Sequence, residues 1–147
     1  MSTSPSTTKE NNPTDHSDWF LQSLVSIVNK NPIDFGITLQ VAGFLVSGNL
    51  IGGAKYFEGF ASDFASFLKD DAEAAETVKK VFTEQGSSIY KTEGDEAEDS
   101  PPPTFIHLKN ARFFNTSGNP IPGNRGVWWR GRISEVSGFI LGTLGSA

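Results

Sequence analysis

Ile37-Thr38-Leu39-Gln40-Val41-Ala42-Gly43-Phe44-Leu45-Val46-Ser47-Gly48-Asn49-Leu50 decides the fold, because apolar and polar residues trade places on either side of a two-residue break. Ile37, Leu39 and Val41 fall on one side with Thr38 and Gln40 opposite. Phe44, Val46 and Leu50 repeat the pattern against Ser47 and Asn49. A period of two marks half-buried strands, and two such runs around Ala42-Gly43 predict an antiparallel hairpin whose turn uses the positive φ open to Gly43. Gly48 interrupts the second strand, which predicts a bulge or sharp bend and therefore a curved sheet.

Downstream the period changes. From Ala54 to about Gln85 the residues Phe57, Phe60, Phe64, Phe67, Leu68, Val78 and Phe82 recur in steps of three and four, predicting one long amphipathic helix. At 1.5 Å per residue it would reach roughly 45 Å, more than a small domain is wide, so a bend near Asp70-Asp71 or a projecting end is expected. Phenylalanine is an unusual residue for a dimeric coiled-coil seam, which favours packing on the core over pairing with another chain. Three more strands follow, Phe105 to Phe114, Gly126 to Ser134 and Val136 to Leu144, the first two separated by the strand-breaking run Ser117 to Asn124. Within Phe105 to Phe114 the apolar phase slips from Ile106 and Leu108 to Ala111 and Phe113, which predicts a bulge near Lys109-Asn110.

Upstream, Asp15 or Ser17 can cap a helix carrying Phe20, Leu24, Ile27 and Val28 and ended by Asn31-Pro32. With few basic residues beside it, this helix is expected to dock on the sheet and not on a membrane. The pattern predicts an α+β fold: a small curved antiparallel sheet, or a small barrel, of about five strands. An N-terminal helix precedes it, and the long helix is inserted between the early hairpin and the last three strands. Residues 1–16 read as a disordered tail and 17–147 as a single domain containing a flexible acidic, Pro-rich linker at 86–103.

The net charge of −5 hides an uneven distribution. Glu58 to Asp99 holds 12 acidic and 4 basic residues, whereas Thr104 to Ala147 holds 1 and 5. An acidic middle and a basic end suit self-association or an anionic partner for the last third, and equally suit two solvated faces of opposite sign. The acidic run Glu93 to Asp99 could fold back on the basic strand and limit self-association. No apolar run approaches the roughly 20 residues that span a bilayer, and no hydrophobic leader follows a basic start, so a cytoplasmic protein without membrane insertion is expected. The chain has no cysteine, which excludes disulfides and thiolate metal sites.

Groups for catalysis are scarce. The two histidines are His16, in the predicted tail, and His107, in a predicted strand where a lone imidazole is usually structural. There is no Gly-x-Ser-x-Gly elbow, no His-x-x-x-His pair and no EF-hand spacing, so neither an enzyme nor a cofactor or metal site is expected. Gly48-Asn49-Leu50-Ile51-Gly52-Gly53-Ala54-Lys55 sits between strand and helix as a phosphate-binding loop would. However, Ala54 separates the last glycine from Lys55, and Tyr56 stands where Ser or Thr would hold magnesium. A Gly-rich connection, with amides that could still hold an anion, is the better reading.

The strand from Val127 carries the strongest binding signal. Alternation places Val127, Trp129, Gly131 and Ile133 on one face and Trp128, Arg130, Arg132 and Ser134 on the other. The second face offers an indole and two guanidinium groups, residue types that concentrate in interfaces and bind carboxylate or phosphate bidentately. Lys109 and Arg112 extend the candidate surface. The alternative, Trp128 lying under a neighbouring element with its arginines paired internally, stays open. In the last strand Val136, Ile140 and Leu144 alternate with Phe139 and Leu141, so both faces are apolar, as in a central strand, a barrel closure or an interface between chains.

Phe105-Ile106-His107-Leu108-Lys109-Asn110-Ala111, Trp129-Arg130-Gly131-Arg132-Ile133, Glu135-Val136, Gly138-Phe139 and Leu141-Gly142 resemble the gas vesicle accessory proteins of the GvpU family. Ile37-Thr38-Leu39 through Val46-Ser47-Gly48, with Lys55-Tyr56-Phe57, look like its N-terminal half. The resemblance covers roughly residues 18–68 and 104–144. It implies a non-catalytic cytoplasmic protein that works with gas vesicles in assembly, stabilisation or clustering, and no catalytic residue comes with it. The expected partners are the vesicle shell, other accessory proteins and further copies of the chain. The strand pattern is also similar to an Sm-like barrel, a likeness of fold that raises RNA binding as the alternative function, with Trp128, Arg130 and Arg132 stacking on bases and meeting phosphates.

Overall fold

The computed structural model describes residues 16–90, 101–117, 119–121 and 125–145. The predicted tail, apart from His16, and the acidic run Glu93 to Asp99 therefore lie outside the described residues.

Helix α1 spans Trp19–Lys30 and is followed by strands β1 (Phe35–Val41) and β2 (Phe44–Ile51). Two helices come next, α2 (Gly53–Ser66) and α3 (Ala72–Ile89), then β3 (Phe105–Phe114), β4 (Val127–Arg132), one 3₁₀ turn at Ile133–Glu135, and β5 (Val136–Leu141). The five strands form one antiparallel sheet in the order β4-β3-β2-β1-β5. This is the expected α+β architecture. Strands β4 and β5 are joined by only the 3₁₀ turn yet occupy opposite edges, so the sheet must curl to bring the edges near each other at that corner. No ladder connects them, and the barrel alternative is not realised.

The hairpin is as expected, with Val41 opposite Phe44 and both turn residues at positive φ, 51° for Ala42 and 83° for Gly43. The two irregularities expected at Gly48 and at Lys109-Asn110 are one feature. The β2–β3 register shifts between Ser47 and Asn49 opposite the extra residue on β3, where Asn110 takes a φ of 55°. A Cβ on Gly48 would lie 2.8 Å from the Lys109 carbonyl oxygen, so only glycine lets the bulged strand come this close.

One face of the sheet packs on α1. Leu21, Val25 and Val28 meet Ile37, Leu39, Val46, Leu50, Ile106, Leu108 and Ala111 in a single buried cluster, with Trp129 and Phe139 at its margin. The helix is turned from the expected stripe: Val28 is inside, but Phe20 and Ile27 are exposed. Two apolar stripes compete on this helix, and Leu21-Val25-Val28 wins. Asp18 is its cap, accepting from the Phe20 amide, where Asp15 or Ser17 was expected.

The single long helix expected over Ala54 to Gln85 is instead an antiparallel helical hairpin. Asp71 caps α3 by accepting from the Ala74 amide at 3.1 Å, so the bend expected near Asp70-Asp71 is a complete reversal. Phe60 and Phe64 then meet Phe82 between the two helices, whereas Phe67 is left exposed. Gly86 permits the approach, since a Cβ there would be 2.4 Å from that of Phe57. Helix α3 runs on to Ile89, so the first residues of the expected linker at 86–103 are helical. The Gly-rich connection before α2 is closed by α1: the Gly53 amide donates to Asn29 Oδ1 at 2.9 Å, leaving that amide no anion to bind.

β5 ends at Leu141, three residues before the expected end. Gly142, at a φ of 100°, turns the chain across the sheet face opposite α1. There the Leu144 amide donates to Ser47 Oγ at 2.7 Å, and Thr38 Oγ1 donates to the Gly142 carbonyl at 2.8 Å. Because Thr38 has one hydroxyl proton, the 3.0 Å contact between the two side chains must have Ser47 as donor. Thr38→Val keeps the shape and removes the bond to Gly142 and the contact with Ser47, leaving the Leu144–Ser47 bond in place. It is expected to cost about 1–3 kcal/mol, seen as a lower urea midpoint with faster C-terminal proteolysis. Unchanged proteolysis would show that the Thr38 hydroxyl does not hold this strap.

Candidate interaction surface

β3 and β4 hold all five residues singled out for binding. Alternation on β4 is as expected: Trp129 lies against the core opposite Leu108, and Trp128, Arg130 and Arg132 take the other face. That second face lies beneath α2. The Trp128 ring packs against Gly59, where a Cβ would be 2.2 Å from the indole, and stands edge-on to Tyr56 with centroids 6.5 Å apart. The indole is half-buried.

Arg130 is also engaged. Its guanidinium carbon lies 3.7 Å from the centroid of the Phe105 ring and 5.5 Å from that of Phe57. The Arg132 guanidinium shares Phe105, at 5.4 Å. Phe105 is thus a platform for two cations, contacts that contribute on the order of 0.5–1 kcal/mol where exposed and up to about 2 kcal/mol where desolvated. Arg132 is exposed and Arg130 half-buried.

Lys109 and Arg112 lie across the bulge from each other. Lys109 forms an ion pair with Asp34 at 3.4 Å, and Arg112 is exposed beside Ser47, several residues along β3 from Phe105. The structure therefore brings Arg130 and Arg132 together on Phe105 and sets Arg112 apart. Lys109 and Trp128 meet at a cleft of about 440 Å³ between the end of α2 and the start of β4, whose rim also carries Asp63, Phe67 and Arg125.

Beneath α2 sits His107, fully buried, paired in register with Arg130 and ringed by Tyr56 at 4.8 Å, Tyr90 at 5.3 Å and Phe57 at 6.1 Å between centroids. Among the described residues neither ring nitrogen has a hydrogen-bond partner, nor has the buried Nε of Arg130. Burial, and secondarily the Arg130 charge, push the imidazole down to about 3, so it is neutral near pH 7. Burial likewise raises the Tyr56 hydroxyl, with Arg130 opposing. Among the described residues no acid or base is hydrogen-bonded to this neutral imidazole, which packs against three aromatic rings.

Sequence reasoning missed Phe105 as the cation platform and Gly59 as the seat of Trp128. The second had a signal: a lone glycine inside a Phe-rich helical stretch marks close approach.

Elsewhere the second sheet edge is apolar. Ile140 and Leu141 of β5 are exposed, and Phe139 touches Phe20 at 6.0 Å, which in turn touches Trp19 at 5.8 Å. Among the described residues no helix is long and apolar enough to cross a membrane.

A family model described as gas vesicle protein GvpU-like matches residues 18–144. No curated protein and no solved structure gives a significant match.

Proposed function

Because the chain belongs to the GvpU-like family of gas vesicle proteins, we propose that it is a non-catalytic accessory protein that self-associates and promotes the assembly, stabilisation or clustering of gas vesicles in the cytoplasm. Its cationic β3–β4 face engages the vesicle shell or another accessory protein. The observation that carries this reading is the exposure of Arg112 and Arg132 on a C-terminal third that holds five cations and one acid. Trp128, Arg130 and Lys109 belong to the same face with different roles. Trp128 and Arg130 brace it against α2 and Phe105, and Lys109 lines the cleft.

Alanine at both Arg112 and Arg132 tests the docking role, since neither side chain is needed for the core. The double variant is expected to lose most of its co-sedimentation with purified vesicles, at least about tenfold, with an unchanged circular dichroism spectrum. Full retention would remove these arginines from the contact. Arg130→Ala serves as a separate comparison, because it also uncovers Phe105. RNA binding has no observation in its favour: the indole meant for stacking on bases is seated on Gly59, and Arg130 on Phe105.

A further inference from the structure

Both edges of the sheet are unpaired among the described residues, but they differ in kind. β4 carries Arg130 and Arg132, charges of the sort that keep sheet edges from pairing. β5, Val136-Ser137-Gly138-Phe139-Ile140-Leu141, has no charge, no proline and no covering element, and Ile140 and Leu141 are 59% and 68% exposed. An edge without protection is a place where another strand adds.

The ladder specifies how it would add. The Gly142 amide donates to the Gly36 carbonyl, and Thr38 is opposite Ile140, so Gly142, Ile140 and Gly138 turn their backbone groups towards β1. Phe139 and Leu141, the alternate residues, turn theirs outward.

We infer that β5 is a self-pairing edge: two copies of this chain join antiparallel about a two-fold axis at Ile140, merging their sheets into one. In this register Phe139 of each copy meets Leu141 of the other, and the amide and carbonyl of both residues find partners. Each exposed Leu141 then covers the partner's Phe139, together with the half-exposed Phe20 and Trp19 beside it. Sliding the register by two residues leaves Leu141 or Phe139 overhanging. A second copy fits better than a charged partner because the net charge of −5 lies elsewhere, so identical edges meet without repulsion.

This inference rests on the self-association reading above, and the test separates the two. The chain has no cysteine, so a single Ile140→Cys variant gives a clean readout. Residues facing each other outside the hydrogen-bonded pairs have Cα atoms about 4.5 Å apart, within reach of a disulfide. Mild oxidation is expected to convert Ile140→Cys largely to a covalent dimer and to leave Ser137→Cys, far from the axis, unlinked. Ile140→Lys, which places two ammonium groups face to face, is expected to weaken the dimer at least about tenfold in light scattering. A wild-type chain that is monomeric at all concentrations overturns both readings. A dimer in which Ile140→Cys does not link, or links no better than Ser137→Cys, overturns the strand pairing and leaves self-association standing.

Discussion

Acidification from pH 7 to pH 4 is expected to cost the folded domain roughly 3 kcal/mol through His107 alone. The imidazole is held at about 3 in the folded chain, against an ordinary 6.5 once unfolded. Between those values the unfolded state binds one proton more, so stability is full above pH 6.5 and declines as the pH falls towards 3. The groups facing the ring are Tyr56 on α2, Tyr90 at the end of α3 and Arg130 on β4, none of which offers a negative charge to accept the imidazolium. Carboxylates also titrate in this range. The measurement is therefore a difference, urea unfolding at several pH values for the wild type and for His107→Phe. The variant, which removes two unpartnered nitrogens, is expected to match or exceed the wild type at pH 7 and to lose much less on acidification. Parallel pH profiles would show that the imidazole is not the group responsible.

The second large effect concerns Gly59. Alanine in mid-helix ordinarily stabilises by about 1 kcal/mol over glycine. Here the methyl would be 2.2 Å from the rigid indole of Trp128, so Gly59→Ala is expected to destabilise by about 1–3 kcal/mol, as overpacking does. In a Trp128→Ala background the obstruction is gone, and the same substitution should change sign, stabilising by up to about 1 kcal/mol. A substitution equally harmful in both backgrounds would mean that α2 is not seated on the indole.

These two residues also show where sequence reading runs out. The hairpin Ile37 to Leu50, the bulge at Lys109-Asn110 and the two faces of β4 were legible because a period of two and a slip in its phase act locally. That Trp129 lies inward followed from the same alternation. The reversal between α2 and α3 was only half legible. Asp70-Asp71 marked a weak point in the pattern, but whether a helix bends or folds back depends on whether its phenylalanines find each other, as Phe60 and Phe64 find Phe82. On α1, Leu21-Val25-Val28 and the neighbouring Phe20 and Ile27 are both apolar stripes, and only the curvature of the sheet chooses between them. Closure was out of reach for a related reason. The order β4-β3-β2-β1-β5 suits an open curled sheet and a closed one alike, and the difference is a few backbone hydrogen bonds between β4 and β5. The candidate surface was legible as a face and not as a set of free groups, because Phe105 lies more than 20 residues before the arginines it carries.

β2 ends at Ile51 opposite His107, near the start of β3, although the α2–α3 hairpin intervenes in sequence. The excursion thus leaves and re-enters the sheet at adjacent points, as a long loop between neighbouring strands would. Lengthening such a loop costs little, since each doubling adds only about 0.6 kcal/mol of closure entropy. At its far end Phe67 is 80% exposed, and neither Phe67 nor the turn after it pairs with a strand. A foreign domain spliced between Lys69 and Asp70 is therefore expected to leave every strand pairing in place.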